Sequence, residues 1–185
     1  KLTLVAGSTW EDDENILLNY INNSATENGK FIIVPHNIKE ESIVNLMAKC
    51  NKTIIRYSDN DKDSSAQVLV IDSIGLLTKI YSYASLAYVG GGFNKSGIHN
   101  ILEPATYGLP IIIGPNFDKF NEAKELINLK ACISINDNDS FAKVFNSLST
   151  NEVLLKEKGQ LSKDYITNNI GASDIIFKFI RNHLS

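Results

Sequence analysis

Seven short runs of apolar residues recur along the chain, most of them followed by an amphipathic stretch, and this alternation constrains the fold more than any other feature. The runs are residues 2–6, 31–34, 53–56, 68–71, 86–89, 110–113 and 132–135. Most are continuously apolar rather than alternating, as expected of strands covered on both faces. Residues 14–28 carry Ile16, Leu17, Tyr20 and Ile21 at helical spacing, with a stop expected near Gly29. Further helices are expected at 40–50, 74–84, 121–129, 140–148, 152–168 and 173–183. The polar stretch 58–65 reads as a mobile loop. Strand–helix alternation repeated this often implies an α/β domain with a doubly wound parallel sheet and right-handed crossovers, a Rossmann-like fold. The 185 residues suit a single domain with a proper core, residues 1–185.

Charge and cysteine usage narrow the function classes. With 18 basic against 21 acidic residues the net charge is -3, which argues against a nucleic-acid binder. Cys50 and Cys132 are far apart and lack CxxC spacing, so two small buried apolar residues in a reducing compartment are expected rather than a metal site or a disulfide. No apolar run approaches the roughly 20 residues that a membrane span needs, and no signal peptide is visible. The chain begins at Lys1 and enters an apolar run at once, which reads as a piece of something longer.

In a doubly wound sheet, ligands bind beyond the carboxyl ends of the strands, so the loops there hold the candidates. After the first strand, Gly7, Ser8 and Thr9 are small enough for amides and hydroxyls to approach an anion, though Ser and Thr also serve as ordinary caps. After the second, His36 follows Pro35 as a possible donor to a phosphate or base. After the fourth stand Asp72, Ser73, Ile74 and Gly75, where a cap is the simplest role. The richest loop follows the fifth strand and runs Gly90, Gly91, Gly92, Phe93, Asn94, Lys95, Ser96, Gly97, Ile98, His99, Asn100, Ile101, Leu102, Glu103, Pro104. Successive glycines permit positive φ and close backbone approach. The spacing fits neither the dinucleotide fingerprint nor a P-loop. Lys95 and His99 flank Gly97 and are expected to face one anion. Glu103 suits vicinal ribose hydroxyls, or a capping box with Asn100.

Taken together, these residues resemble the donor-binding core of transferases that attach 3-deoxy-manno-octulosonic acid (Kdo) to a lipid A precursor. That family's pattern runs Val-Gly-Gly-Ser, Gly-His-Asn-Pro-Leu-Glu-Pro-Ala, Gly-x-Pro-Val, Gly-Pro and Asn-Phe. It stands here as Val89-Gly90-Gly91-Gly92, Gly97-Ile98-His99-Asn100-Ile101-Leu102-Glu103-Pro104-Ala105, Gly108-Leu109-Pro110-Ile111, Gly114-Pro115 and Lys119-Phe120. Ser8-Thr9-Trp10-Glu11-Asp12-Asp13-Glu14 matches the family's Ser-Thr-His-Glu-Gly-Glu-Glu-like opening, with Trp10 where a histidine is usual. His36-Asn37 replaces Arg-His, and Leu76 stands where a glutamate is usual.

The resemblance implies one half of a GT-B glycosyltransferase, the half that binds CMP-Kdo. It implies inverting, metal-independent transfer without a cofactor. The lipid A precursor, the membrane surface and the general base belong to a second domain at the cytoplasmic face of the bacterial inner membrane, so no catalytic residue is assigned in this chain. The donor-binding residues it implies are Ser8, Thr9, His36, Ser73, Ile74, Gly75, Gly91, Gly92, Asn94, Lys95, Gly97, His99, Asn100 and Glu103. Two other readings stand beside it: a GT-B donor domain for a UDP- or GDP-sugar, and a nucleotide-binding module without chemistry.

Overall fold

A computed structural model describes residues 2–59, 63, 65–171, 177 and 179–181. Its element order is β1 (Leu2–Thr9), α1 (Glu11–Asn23), β2 (Gly29–Pro35), α2 (Glu40–Ala48), β3 (Ile54–Arg56), β4 (Val68–Val70), α3 (Leu77–Ile80) with a 3₁₀ turn (Tyr81–Tyr83), β5 (Leu86–Val89), α4 (Leu102–Thr106), β6 (Ile111–Ile113), α5 (Asn121–Asn128), β7 (Cys132–Ser134), α6 (Asn138–Thr150) and α7 (Glu152–Asn168). All seven apolar runs are strands. They form one sheet in the order β3-β4-β2-β1-β5-β6-β7, every pair parallel. The expected doubly wound architecture is therefore observed.

The continuous apolar runs follow from burial on both sides. Leu4 and Ala6 of β1, Phe31 and Ile33 of β2, and Leu86 and Tyr88 of β5 join Leu17 and Ile21 of α1, Ile43 of α2 and Phe141 of α6 in one core. Val89, Ile111 and Ile113 face the other way, onto Ala105 of α4, Ala123 and Leu126 of α5 and Tyr165 of α7. Val5 and Ala87 meet Tyr81 of the 3₁₀ turn. Area removed from water at about 25 cal/mol per Å² makes these two layers the main source of stability.

Three departures from the expected helices are the largest. α1 starts at Glu11 instead of residue 14, because the Asp13 carboxylate reaches back to the Trp10 amide (2.9 Å) and caps the first turn. It ends at Asn23, five residues before the expected stop at 28, where the Ser24 and Ala25 amides both turn onto the Tyr20 carbonyl. The stretch 74–84 does not form one helix: Gly75 has φ +82°, and only α3 and the 3₁₀ turn follow. Of the loop read at 58–65, residues 60–62 and 64 lie outside the described residues, as does most of the helix expected at 173–183.

Candidate functional site

The strand order reverses direction at β1. Its neighbours are β2 on one side and β5 on the other, so the loops leaving these three strands meet at a topological switch point. β1 ends irregularly: its pairing with β2 shifts register between Gly7 and Thr9, and Ser8 takes φ +55°. That conformation is uncommon outside glycine and marks an imposed backbone path. Gly90 makes room for it: a Cβ there would lie 2.4 Å from the Ser8 carbonyl oxygen. The Gly90 amide in turn donates to the Gly7 carbonyl (2.9 Å).

The glycine loop is stitched to its surroundings through backbone. His99 N donates to Gly90 O (3.0 Å), and Asn116 N, from the loop after β6, donates to Gly92 O (2.8 Å). Asn116 Nδ2 adds a bond to the Asn94 carbonyl (3.1 Å). Gly92 and Gly114 touch backbone to backbone, and a Cβ on Gly92 would sit 2.7 Å from Gly114 Cα. Gly91 and Gly97 have φ of +93° and +84°, the left-handed region that glycine enters without cost.

Asp13 anchors this arrangement from beneath. Its side chain is buried and accepts from Gly91 N (2.8 Å), Tyr88 Oη (2.7 Å) and Trp10 N (2.9 Å). Burial raises its pKa above the usual carboxylate value even though the three donors pull it down. The same burial, with the Asp13 charge beside it, raises the Tyr88 phenol. Next along α1, Glu14 accepts from the Thr9 hydroxyl (3.0 Å), and desolvation lifts its pKa to about 7.

Over the strand ends lie three aromatic rings, one from each loop. Trp10 follows β1, His36 follows β2, and His99 closes the glycine loop. Trp10 and His36 stack with centroids 4.5 Å apart, as do His36 and His99. Trp10 Nε1 donates to His99 Nε2 at 3.0 Å. Sequence reasoning singled out both histidines but took Trp10 only as a departure from the family pattern, and it missed Asp13.

The remaining candidates fall into two further groups. Glu103 is half-buried at the start of α4, where one oxygen accepts from Asn100 Nδ2 (3.1 Å) and the other from Thr78 Oγ1 (3.3 Å). The Asn100 carbonyl oxygen Oδ1 accepts from Leu102 N (3.1 Å), and Pro104 is tolerated within this first turn. The turn Ser73-Ile74-Gly75 precedes α3, which carries Thr78, and exposes Ile74 at 86%. Lys95 stands apart from His99: with Gly97, Asn116, Asp118, Lys119 and Phe120 it lines a separate depression of about 290 Å³. The two basic residues flanking Gly97 thus serve different surroundings. Among the described residues no cluster of His, Cys, Asp or Glu is arranged to hold a metal ion. Cys50 and Cys132 are both free thiols.

No family model matches the chain. A 3-deoxy-D-manno-octulosonic acid transferase of Rickettsia felis is 30% identical over 188 aligned positions, which cover 96% of this chain and 40% of that protein. The chain belongs to the Kdo transferase family. A bifunctional glycosyltransferase/methyltransferase of Fusobacterium nucleatum is 31% identical over 149 residues, 78% of this chain and 23% of the relative. The chain spans less than half the length of these curated relatives. Among solved structures, the C-terminal CMP-Kdo binding domain of WaaA from Acinetobacter baumannii superposes with a TM-score of 0.78 at 22% identity. The match covers 90% of this chain and 89% of that domain. The fold is that of a GT-B glycosyltransferase C-terminal domain.

Proposed function

We propose that the chain is the donor-binding half of an inverting Kdo transferase. It holds CMP-Kdo over the carboxyl ends of β1, β2 and β5 while a second domain presents the lipid A precursor. The observation that carries this reading is the glycine loop, locked by backbone contact onto the ends of β1 and β6 with Glu103 braced beside it. The superposed solved domain binds CMP-Kdo.

In this reading Glu103 accepts from the ribose hydroxyls. Asn100 and Thr78 hold the carboxylate in place and leave lone pairs on both oxygens. Ser8, Thr9, Gly91, Gly92, Asn94, Gly97 and the turn Ser73-Ile74-Gly75 line the donor's path, with His36 and His99 over it. When the acceptor hydroxyl attacks the Kdo anomeric carbon, the bond to the CMP phosphate breaks and the phosphate gains charge. Oriented amides of the glycine loop stabilise that charge without reorganising. The general base, the lipid acceptor and contact with the cytoplasmic face of the inner membrane are assigned to the other domain, and no metal or cofactor is invoked. Among the described residues no helix is long and apolar enough to cross a membrane.

Calorimetric titration with CMP, UDP and GDP tests the reading, with CMP expected to bind most tightly. Losing one partner of a charged hydrogen bond costs about 1.5–3 kcal/mol, roughly 10- to 150-fold in affinity. Glu103→Gln should lose that much CMP affinity with little change in melting temperature. Tighter binding of UDP or GDP would reassign the donor, and absence of all binding would favour a module without this chemistry. A variant that melts earlier yet binds CMP normally would return Glu103 to a capping role.

A further inference from the structure

The three rings at the switch point have a definite arrangement. The indole of Trp10 and the imidazole of His99 are tilted by only 12° and their centroids are 6.3 Å apart, with Nε1 and Nε2 at 3.0 Å. Such rings lie side by side in nearly one plane, joined at their edges. His36 lies across both, 4.5 Å from each centroid and tilted by 19° and 28°. Trp10 and His99 therefore make one flat platform, and His36 covers one of its faces.

The edge contact restricts the chemistry of His99. An indole nitrogen only donates, so the imidazole nitrogen facing it must be without a proton. A proton on Nε2 would set two N–H groups head to head. The ring proton of His99 therefore sits on Nδ1, for which no acceptor is found among the described residues. We propose that Trp10 is a positioning residue that fixes His99 as the neutral Nδ1–H tautomer, so that the nucleotide phosphate meets one oriented, uncharged donor and not an imidazolium. This rests on the donor-binding reading above.

The groups around the ring agree. Burial, and then the neighbouring His36, depress the His99 pKa below its usual value. From α1, Asp13 is committed to Tyr88, Gly91 and Trp10, and Glu14 to Thr9. The glycine loop contributes no charge at the ring, since Lys95 lines the other depression. Glu14 titrates in the same region, at about 7, but does so in wild type and variants alike.

Long-range proton–nitrogen spectra of the chain without ligand, recorded across pH, test the tautomer directly. Wild type should show His99 protonated at Nδ1 and titrating below the reference value of about 6.5. Trp10→Phe keeps a stacking ring but removes the donor; His99 should then populate both tautomers and titrate closer to 6.5. Trp10→His places Nε2 where Nε1 stands, but an imidazole nitrogen can accept as well as donate, so this variant should hold the Nδ1–H tautomer less completely than wild type and more completely than Trp10→Phe. The ratio of CMP affinity in Trp10→Phe to that in wild type cancels the ligand's own phosphate titration. It should rise severalfold as pH falls from about 7.5 to 5.5, as His99 becomes cationic in the variant first. An Nε2–H tautomer in wild type, or titration unchanged in Trp10→Phe, would overturn the proposal. An intact tautomer with no CMP binding would instead overturn the donor-binding reading and the ligand role of His99 with it.

Discussion

Asp13 is the residue whose removal should separate this fold from a merely well-packed sheet. Its carboxylate is buried and serves three donors from three parts of the chain: Trp10 N, Tyr88 Oη and Gly91 N. Asp13→Ala strands the Gly91 amide and the Tyr88 hydroxyl, both in buried residues. An unmet buried donor costs about 1–3 kcal/mol. The α1 cap costs about 1 kcal/mol more. Relief from burying a charge, signalled by the raised pKa, offsets part of this. The net loss is about 3–5 kcal/mol, the size seen when one partner of a buried charged pair is deleted. Asp13→Asn is different. Its oxygen can take the place of Oδ2, which serves both amides, and its amide nitrogen can face Tyr88, whose hydroxyl turns from donor to acceptor. The turned hydroxyl leaves its own proton without an acceptor, so that variant should lose about 1–3 kcal/mol, less than the Ala variant. Urea unfolding reads both: with a slope of about 2–3 kcal/mol per molar, the Ala variant's midpoint should fall by about 1–2.5 M. An Ala variant within 1 kcal/mol of wild type, or an Asn variant as weak as Ala, would refute the reasoning.

Two further changes probe the loops. Gly92→Ala places a Cβ 2.7 Å from the Gly114 backbone, which cannot swing aside, so it should cost about 1–3 kcal/mol and weaken CMP binding; Gly75→Ala, at φ +82° with nothing within 4 Å, should cost about 1 kcal/mol without a packing defect. Thermal melts of the two variants compare them directly, and equal behaviour would mean the stitched loops can separate freely. Glu14 gives a pH signature: its folded pKa of about 7 lies above the ordinary 4.5, so folding takes up a proton between those values. Its contribution is fully present below pH 4.5 and is lost as pH rises through 7. Glu14→Gln should flatten that part of the stability profile, and an unchanged slope would show that the carboxyl is solvated.

What the sequence revealed, and what it hid, divides along the range of the interactions concerned. Strands such as β5 and β6 were legible because burial on both faces leaves a local mark, an unbroken apolar run. The glycine loop was legible because positive φ at Gly91 and Gly97 selects a residue type. The start of α1 was not, since Glu11, Asp12 and Asp13 look like a solvated acidic turn. Asp13 is buried only because Tyr88 and Gly91, 75 and 78 positions away, come to it. The helix expected at 74–84 failed for a related reason: its apolar residues serve separate contacts around Tyr81, and Gly75 breaks the backbone path.

The ring cluster shows how such information becomes visible. Trp10 and His36 each stand directly after a strand, and His99 closes the loop that leaves a third; read singly, each is an ordinary loop residue. Their meeting depends on β2, β1 and β5 being neighbours in the sheet, an order that no local pattern encodes. Once that order is known, the substitution of tryptophan for the family's usual histidine at position 10 no longer reads as a lost contact. The indole keeps an N–H where an imidazole Nε2 would stand and directs it at His99. It also adds a larger face for His36 to cover. The departure from the family pattern thus keeps a nitrogen at the same place but makes it an obligatory donor, so the two ring types at position 10 should differ both in stacking on His36 and in how strictly they hold His99 to one tautomer.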